Sequence, residues 1–171
     1  MDIKPTPDDK TMMTRRFAIG AGSLALFGGF VAISRPGDAA GGKFAVQKSE
    51  AQWKAQLGAQ RFAILRQEGT ERPFSSPLLK EKRRGTYACA GCGQPVFLSA
   101  TKFDSGTGWP SFFREIPGKV AFRNDSSLGM SRTEEHCSRC GGHLGHVFDD
   151  GPRPTGKRHC INGLSLTFRS A

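Results

Sequence analysis

Two short stretches decide the fold: Cys89-Ala90-Gly91-Cys92 and Cys137-Ser138-Arg139-Cys140. They are separated by 44 residues, and a glycine follows each of them directly. A Cys-x-x-Cys turn directs two sulfur atoms to one point, and two such turns complete a tetrahedron around a metal ion. Soft thiolate ligands in this geometry favour zinc, with iron as the alternative. The sequence therefore predicts one structural Zn²⁺ per chain, held by Cys89, Cys92, Cys137 and Cys140.

The number of cysteines agrees with a metal site. The chain has five of them, and Cys160 is left over once the two motifs have taken four. An odd count of this kind indicates a metal site plus one free thiol rather than a disulfide framework. A thioredoxin-type redox dithiol is the competing interpretation, and two equally spaced motifs argue against it. Because thiolates would fill all four positions, the metal is expected to stabilise the fold and to do no chemistry.

The pattern outside the cysteines is typical of a small, mainly β domain. Twenty-two glycines and ten prolines in 171 residues indicate many turns. Short runs with strand character occur at 86–88, 95–98, 119–123 and 164–168. Before them, Ser49 is expected to cap a helix that begins at Glu50 and ends near Gly58, with a second short helix over 59–66.

The first 40 residues resemble a targeting segment. Arg15 and Arg16 precede an uncharged stretch over 17–34 that is rich in glycine and alanine, and Ala39 and Ala40 follow as small residues near a cleavage point. The paired arginines resemble a twin-arginine signal, although Phe17 follows them directly. An uncleaved membrane anchor is the alternative interpretation. We therefore expect export to the periplasm, with a linker over 41–48 and a single domain over 49–171.

The charge of the chain suggests a solvated basic surface. The formal net charge is +10, and residues 1–40 hold five Lys/Arg and four Asp/Glu, so the remainder carries +9. Such an excess can suit nucleic acid or an anionic membrane. The positive charges are scattered, however, and the one dense run, at 80–84, contains the acidic Glu81. We therefore expect no nucleic-acid partner.

The unpaired Cys160 lies in the run RHCIN at 158–162. A lone cysteine is often a small buried apolar residue. Here Arg158 and His159 place positive charge beside it, and positive charge lowers the pKa of a thiol toward the reactive thiolate. On a strand, Arg158 and Cys160 would also share one face. Cys160 is therefore the candidate nucleophile.

Three further features leave alternatives open on residue type alone. His143 and His146 follow the second cysteine motif and are either proton donors or histidines with a structural role. Asp150 could orient a histidine, or it could serve as an acidic turn residue. Trp109 lies in a Gly-Trp-Pro loop and is either a plug in the core or one wall of a pocket.

Longer runs resemble the methionine-R-sulfoxide reductase family. They are KFDSGTGWPSF (102–112), HLGHVF (143–148), DGP (150–152), PTG (154–156) and RHCIN (158–162). The resemblance covers roughly residues 49–171. It implies two antiparallel sheets with short N-terminal helices, stapled by the zinc. It also implies an enzyme that reduces methionine-R-sulfoxide in oxidised proteins, and so repairs them after oxidative stress.

The resemblance implies a role for each residue that matches a family motif. Cys160 would attack the sulfoxide sulfur and become a sulfenic acid, with His146 protonating the departing oxygen and Arg158 holding the thiolate charge. The positions implied to line the site are His143, His146, Asp150, Arg158 and Asn162. The aromatic pocket implied for the S-methyl group consists of Trp109, His146 and Phe148.

The chain also departs from the family pattern. Thr107 stands where many relatives carry a resolving cysteine, so an external thiol, either a thioredoxin-like protein or a small dithiol, is expected to reduce the sulfenic acid. His159 replaces a common aromatic residue, and Gly163 replaces a common serine. A monomer is expected.

Two other functions are alternatives to a methionine-R-sulfoxide reductase. A non-catalytic zinc module that binds a partner would explain the four cysteines, but it leaves Cys160, the histidine pair and the Gly-Trp-Pro loop unexplained. A Cys/His hydrolase would use the thiol, but the sequence offers it no evident oxyanion arrangement.

Overall fold

The computed structural model describes residues 44–129 and 131–171. The predictions of a signal or anchor over 1–40, and of the first part of the linker, lie outside these residues. Within the described part of the chain, none of the helices combines the length and the apolar character needed to cross a membrane. The rest of the predicted linker contacts the domain, since the Val46 N–H donates to the Arg139 carbonyl at 3.0 Å.

Helix α1 (Glu50–Gln67) begins and breaks where the sequence predicts. The Ser49 hydroxyl accepts from the Gln52 N–H, and the Gln52 side chain accepts from the Ser49 N–H, so a complete capping box starts the helix. Gly58 has a φ of 69°, outside the helical region, and divides α1 into two segments. The predicted break at Gly58 is therefore confirmed. Both segments bury apolar side chains, namely Trp53, Leu57, Phe62, Ile64 and Leu65.

Nine strands in the described residues form two antiparallel sheets, as predicted. The strands are β1 (Gly85–Cys89), β2 (Pro95–Leu98), β3 (Lys102–Phe103), β4 (Ser111–Phe112), β5 (Val120–Asp125), β6 (Arg132–Cys137), β7 (His143–Phe148), β8 (Arg158–Ile161) and β9 (Leu166–Ser170). One sheet has the order β2-β1-β9, and the other has the order β3-β4-β8-β7-β6-β5. The last strand begins at Leu166, two residues later than predicted, because Gly163–Ser165 form a 3-10 turn before it.

The core connects the two sheets and fixes the strand that carries Cys160. Phe97 from the smaller sheet stacks on Phe112 from the larger one, with ring centroids 4.4 Å apart, and Tyr87 meets Phe112 edge-on at 4.9 Å. Strands β7 and β8 approach closely at Gly145, where a Cβ would lie 2.0 Å from the Cys160 carbonyl oxygen. A larger residue there would push Cys160 away from its neighbours on β7.

Candidate active site and metal centre

The four motif cysteines are positioned to bind one metal ion. Their sulfur atoms all lie within 4.8 Å of one another, with Cys89 and Cys140 at 3.7 Å and Cys92 and Cys137 at 3.5 Å. Zinc–sulfur bonds of about 2.3 Å in a tetrahedron require sulfur atoms roughly 3.8 Å apart. The donor set therefore fits zinc in both chemistry and spacing. Three of the cysteines are buried and Cys92 is half-buried.

The two Cys-x-x-Cys motifs of the metal centre form turns of the same type. The Gly93 N–H donates to the Cys89 carbonyl, and the Gly141 N–H donates to the Cys137 carbonyl, each at 2.8 Å. Both glycines have a positive φ, 73° and 67°, which side chains with a Cβ disfavour. Because Cys89 ends β1 and Cys137 ends β6, a bound metal would connect the two sheets.

Strand register places Cys160 beside His146. Residues directly opposite each other on neighbouring strands share one face of the sheet. His146 on β7 pairs with Cys160 on β8, and Ser111 on β4 pairs with Cys160 from the other side. The same row continues through Glu134 on β6 to Arg123 on β5. The sheet therefore aligns a thiol, an imidazole and an acid–base pair on one face, which we call the thiol face.

The Cys160 thiol is half-buried, and its surroundings act on its pKa in opposite directions. Burial raises the pKa, while a hydrogen bond from Thr107 and the charge and hydrogen bond of Arg158 lower it. The net pKa is raised, so the expectation of a lowered value is wrong. Positive charge does act on the thiol as predicted, but desolvation outweighs it.

His159 does not contribute to that charge. It lies on the face of the sheet opposite Cys160, because adjacent residues of a strand point to opposite sides. Its ring is buried, with Nδ1 bonded to a Glu135 carboxylate oxygen and Nε2 3.3 Å from a Glu115 oxygen. The histidine that replaces a common aromatic residue therefore forms a buried contact with two glutamates on the face of the sheet opposite the nucleophile.

A chain of hydroxyl groups leads to the thiol. The Thr107 hydroxyl lies 3.8 Å from the Cys160 sulfur, and the Ser105 hydroxyl lies 2.8 Å from that of Thr107. Ser105 is in turn 2.7 Å from the Ser111 hydroxyl, which donates to the Trp109 carbonyl. This chain holds Thr107 in place as a hydrogen-bond donor to a thiolate. The sequence alone does not single out Ser105 and Ser111, whose only signal is their place on either side of the Gly-Trp-Pro loop.

We expect the replacement of Arg158 by alanine to raise the pKa of Cys160 further, because a nearby positive charge stabilises the thiolate. Alkylation by iodoacetamide at neutral pH should then slow by about tenfold, since the thiolate is the reacting form. The wild-type rate should still be rising at pH 9, since burial places the thiol pKa above its ordinary value of 9.0.

The rate of alkylation against pH measures this directly in metal-loaded protein, where the other four cysteines are protected. Lys157→Ala is the matched control, because the exposed Lys157 pairs with Asp149 and shares neither the face nor the contacts of Cys160. An unchanged pH profile in Arg158→Ala would show that the guanidinium does not act on the thiol.

The two histidines are held by acidic residues that sequence analysis missed. His146 Nε2 lies 2.8 Å from an Asp125 oxygen, and His143 Nδ1 lies 2.6 Å from a Glu134 oxygen. Burial lowers the pKa of His146, although the Asp125 carboxylate acts in the other direction. His143 is buried, whereas His146 is partly exposed on the thiol face. His146 is thus the histidine that a substrate could reach.

Asp150 does not orient a histidine. Its carboxylate accepts two hydrogen bonds from the Arg158 guanidinium, both of 2.8 Å. The guanidinium carbon lies 4.4 Å from the centroid of the Phe148 ring. Asp150 and Phe148 therefore fix Arg158, and Asp125 takes the place beside His146 that the sequence suggested for Asp150.

Trp109 is half-buried, which does not suit a complete core plug. Its indole N–H donates to the Glu71 carbonyl at 3.1 Å. Asn162 is buried, and its side-chain oxygen accepts from the Glu71 N–H at 3.0 Å while its amide nitrogen donates to the Leu144 carbonyl. The polar atoms of the Asn162 side chain therefore bond to backbone groups. Through Glu71, they position the segment that holds Trp109.

The structure is thus that of a small β domain with four cysteines positioned to bind a metal ion and a separate half-buried thiol opposite a histidine. The family model described as "SelR domain" matches residues 57–170, two thirds of the chain. The chain therefore belongs to the SelR domain family, and its similarity to MsrB proteins places it among the MsrB members.

Three relatives illustrate this similarity, and each is named "Peptide methionine sulfoxide reductase MsrB". The protein of Methanosarcina barkeri is 57% identical over 127 residues, covering 74% of this chain and 89% of its own. That of Agrobacterium fabrum is 56% identical, covering 72% and 92%, and that of Leptospira interrogans is 54% identical, covering 74% and 97%. Among solved structures, the Mis18 "Yippee-like" domain matches 52% of this chain and 98% of its own with a TM-score of 0.41 and 17% identity, a likeness too distant to inform the fold.

Proposed function

We propose that this chain reduces methionine-R-sulfoxide in oxidised proteins to methionine, with Cys160 as the nucleophile. One observation carries the proposal: Cys160 on β8 lies directly opposite His146 on the neighbouring strand β7, with Thr107 and Arg158 beside the sulfur. The names of the MsrB relatives, at 54–57% identity, support the reduction of peptide methionine sulfoxide in general.

The reaction balances within the residues of the thiol face. The Cys160 thiol loses its proton to His146, and the thiolate attacks the sulfoxide sulfur. His146 gives the proton to the sulfoxide oxygen. The resulting hydroxyl passes from the methionine sulfur to the Cys160 sulfur as the bond between the two sulfur atoms breaks, so methionine leaves with both electrons of that bond. Cys160 is oxidised by two electrons to a sulfenic acid while the substrate is reduced. The raised pKa of Cys160 and the lowered pKa of His146 mean that this pair rests as neutral thiol and neutral imidazole.

Aromatic side chains give the site its place for the S-methyl group. Trp109, His146 and Phe148 are each partly exposed, which leaves their surfaces open to a substrate. The sulfoxide oxygen would lie at His146 and the S-methyl group against the aromatic rings. The rest of the methionine side chain would then have to leave the sulfur in the one remaining direction. The three substituents of the sulfur thus take three different places, so one epimer is preferred.

The metal of the four-cysteine centre is proposed to be zinc, held by Cys89, Cys92, Cys137 and Cys140. A closed set of thiolates gives zinc no open position for a substrate. Its contribution is to hold β1 and β6 together, and every step of the reaction is carried by residues on the thiol face.

An external thiol is proposed to regenerate Cys160. The chain has five cysteines, and four of them form the metal centre. Thr107, where many relatives carry a resolving cysteine, places a hydroxyl beside the sulfur. A thioredoxin-like protein or a small dithiol would therefore attack the sulfenic acid. Trapping a disulfide within the chain to Cys160 after one turnover would contradict this route.

Export to the periplasm by a twin-arginine route remains our proposal for the first 40 residues, with membrane anchoring as the alternative. This route carries folded proteins, so the metal could be loaded before the cysteines meet an oxidising compartment. Arg15→Lys with Arg16→Lys should abolish export of the full chain, and unchanged export would contradict the route.

The epimers of N-acetyl methionine sulfoxide methyl amide test the proposed reaction. With dithiothreitol as reductant, the metal-loaded protein is expected to reduce the R epimer and to leave the S epimer unchanged. Turnover of the S epimer alone would reverse the proposed stereochemistry. Turnover of neither epimer would favour a metal-binding module without catalysis.

A further inference from the structure

Phe74 combines two features that a folded protein normally avoids. Its side chain is 71% exposed, well above the 45% of Leu98 and the 46% of Phe122. Its φ is 63°, in the left-handed region that glycine and asparagine occupy at lower cost than phenylalanine. A residue that is both exposed and strained contributes little to the core, and such residues cluster at functional sites.

Two contacts hold Phe74 in this conformation. Its backbone N–H donates to the Gly108 carbonyl at 2.7 Å. Its ring lies against Gly108, where a Cβ would come within 3.0 Å of two ring carbons, and Gly108 itself has a φ of 95°. The aromatic ring is therefore fixed at one edge while most of its surface faces solvent.

The position of Phe74 is tied to the thiol face. Gly108 lies between Thr107, whose hydroxyl is 3.8 Å from the Cys160 sulfur, and Trp109, whose indole N–H bonds to the Glu71 carbonyl. The loop over 71–76 is thus bonded to the Gly-Trp-Pro loop at two points. Phe74 therefore contacts the residue that directly follows Thr107, and this contact places it at the rim of the site.

We propose that Phe74 is an outer binding site for the polypeptide that carries the oxidised methionine, and that it takes an apolar side chain next to the methionine sulfoxide. This inference rests on the proposed function. A rigid, exposed aromatic ring offers a large contact area at a small entropic cost, which is why such rings dominate binding surfaces. A blocked single amino acid ends before it reaches the rim, whereas a polypeptide continues across it.

Two R-sulfoxide substrates test the inference: N-acetyl methionine sulfoxide methyl amide, and a peptide with leucine on both sides of the methionine sulfoxide. Phe74→Ala and Phe74→Gly should each lower kcat/KM for the peptide by about tenfold, the effect of removing one aromatic contact from a binding surface. Both should leave kcat/KM for the blocked amino acid unchanged. Phe74→Tyr keeps the ring and should keep the activity on the peptide.

The variants separate binding from folding. Glycine adopts a φ of 63° without strain, so Phe74→Gly should melt at or above the wild-type temperature and still lose activity on the peptide. Phe122→Ala is the matched control, since Phe122 is also exposed (46%) but packs toward His159 on the opposite face. It should reduce both substrates like the wild type.

Two outcomes would overturn the inference. One is an unchanged kcat/KM for the peptide in Phe74→Ala and Phe74→Gly. The other is an equal loss on both substrates, which would show that Phe74 supports the site rather than the polypeptide. Failure of the wild type to reduce either substrate would instead overturn the proposed function, and the inference with it.

Discussion

Cys160→Ser is expected to lower kcat/KM for methionine-R-sulfoxide by at least about a thousandfold, because a serine hydroxyl at neutral pH is a far weaker nucleophile than a thiolate. A loss of that size corresponds to about 4 kcal/mol of transition-state stabilisation. No other thiol can substitute, since the remaining cysteines of the chain are those of the metal centre. Steady-state reduction of the R epimer measures the effect.

The same variant should keep its metal and its melting temperature. Cys160 lies outside the group of four sulfurs, and serine differs from cysteine by one atom in a half-buried position. Loss of activity with unchanged metal content would assign the effect to chemistry. If more than about one hundredth of the activity remained, Cys160 could not be the nucleophile.

Cys137→Ser is expected to release the metal and to lower the free energy of unfolding by at least about 4 kcal/mol, because a structural zinc site contributes its binding free energy directly to folding. Cys137 is fully buried at the end of β6, and its sulfur lies 3.5 Å from that of Cys92. Removing it would take away the connection that the metal makes between the two sheets and leave only the packing of the core. Metal content and urea unfolding together measure the effect.

Arg139→Ala is the matched control for that variant. Arg139 lies within the same turn, is exposed, and contributes its backbone carbonyl rather than its side chain to the contact with Val46. It should keep the metal, and it should change the free energy of unfolding by no more than about 0.5 kcal/mol. Full stability of metal-free Cys137→Ser would show that the metal does not hold the fold.

Some features of this protein follow from local patterns alone. The sequence predicts the four cysteines of the metal centre because a metal-binding Cys-x-x-Cys turn needs only two cysteines, a fixed spacing and a glycine with positive φ. The capped start of α1 and its break at Gly58 follow from the chemistry of Ser49 and glycine. The shared face of Arg158 and Cys160 follows from the alternation of side chains along a strand.

Other features depend on which strands become neighbours. Asp125 and Glu134 lie 21 and 9 residues before the histidines that they contact. They reach those histidines only because β5, β6 and β7 are neighbours in the sheet, with a register shift between β6 and β7. The sequence places charged residues near Cys160 but does not show how deeply the thiol is buried. The predicted direction of the shift in its pKa is therefore wrong. The exposed, strained conformation of Phe74 likewise results from a contact with a distant loop.

One measurement tests the central claim most directly: a single turnover of metal-loaded protein with methionine-R-sulfoxide in the absence of any reductant. We expect about one methionine formed per chain, together with a sulfenic acid on Cys160 that dimedone labels and mass spectrometry locates. The four metal-bound cysteines should carry no label. Methionine formed without a modified Cys160, or a sulfenic acid on a different cysteine, would show that Cys160 is not the nucleophile.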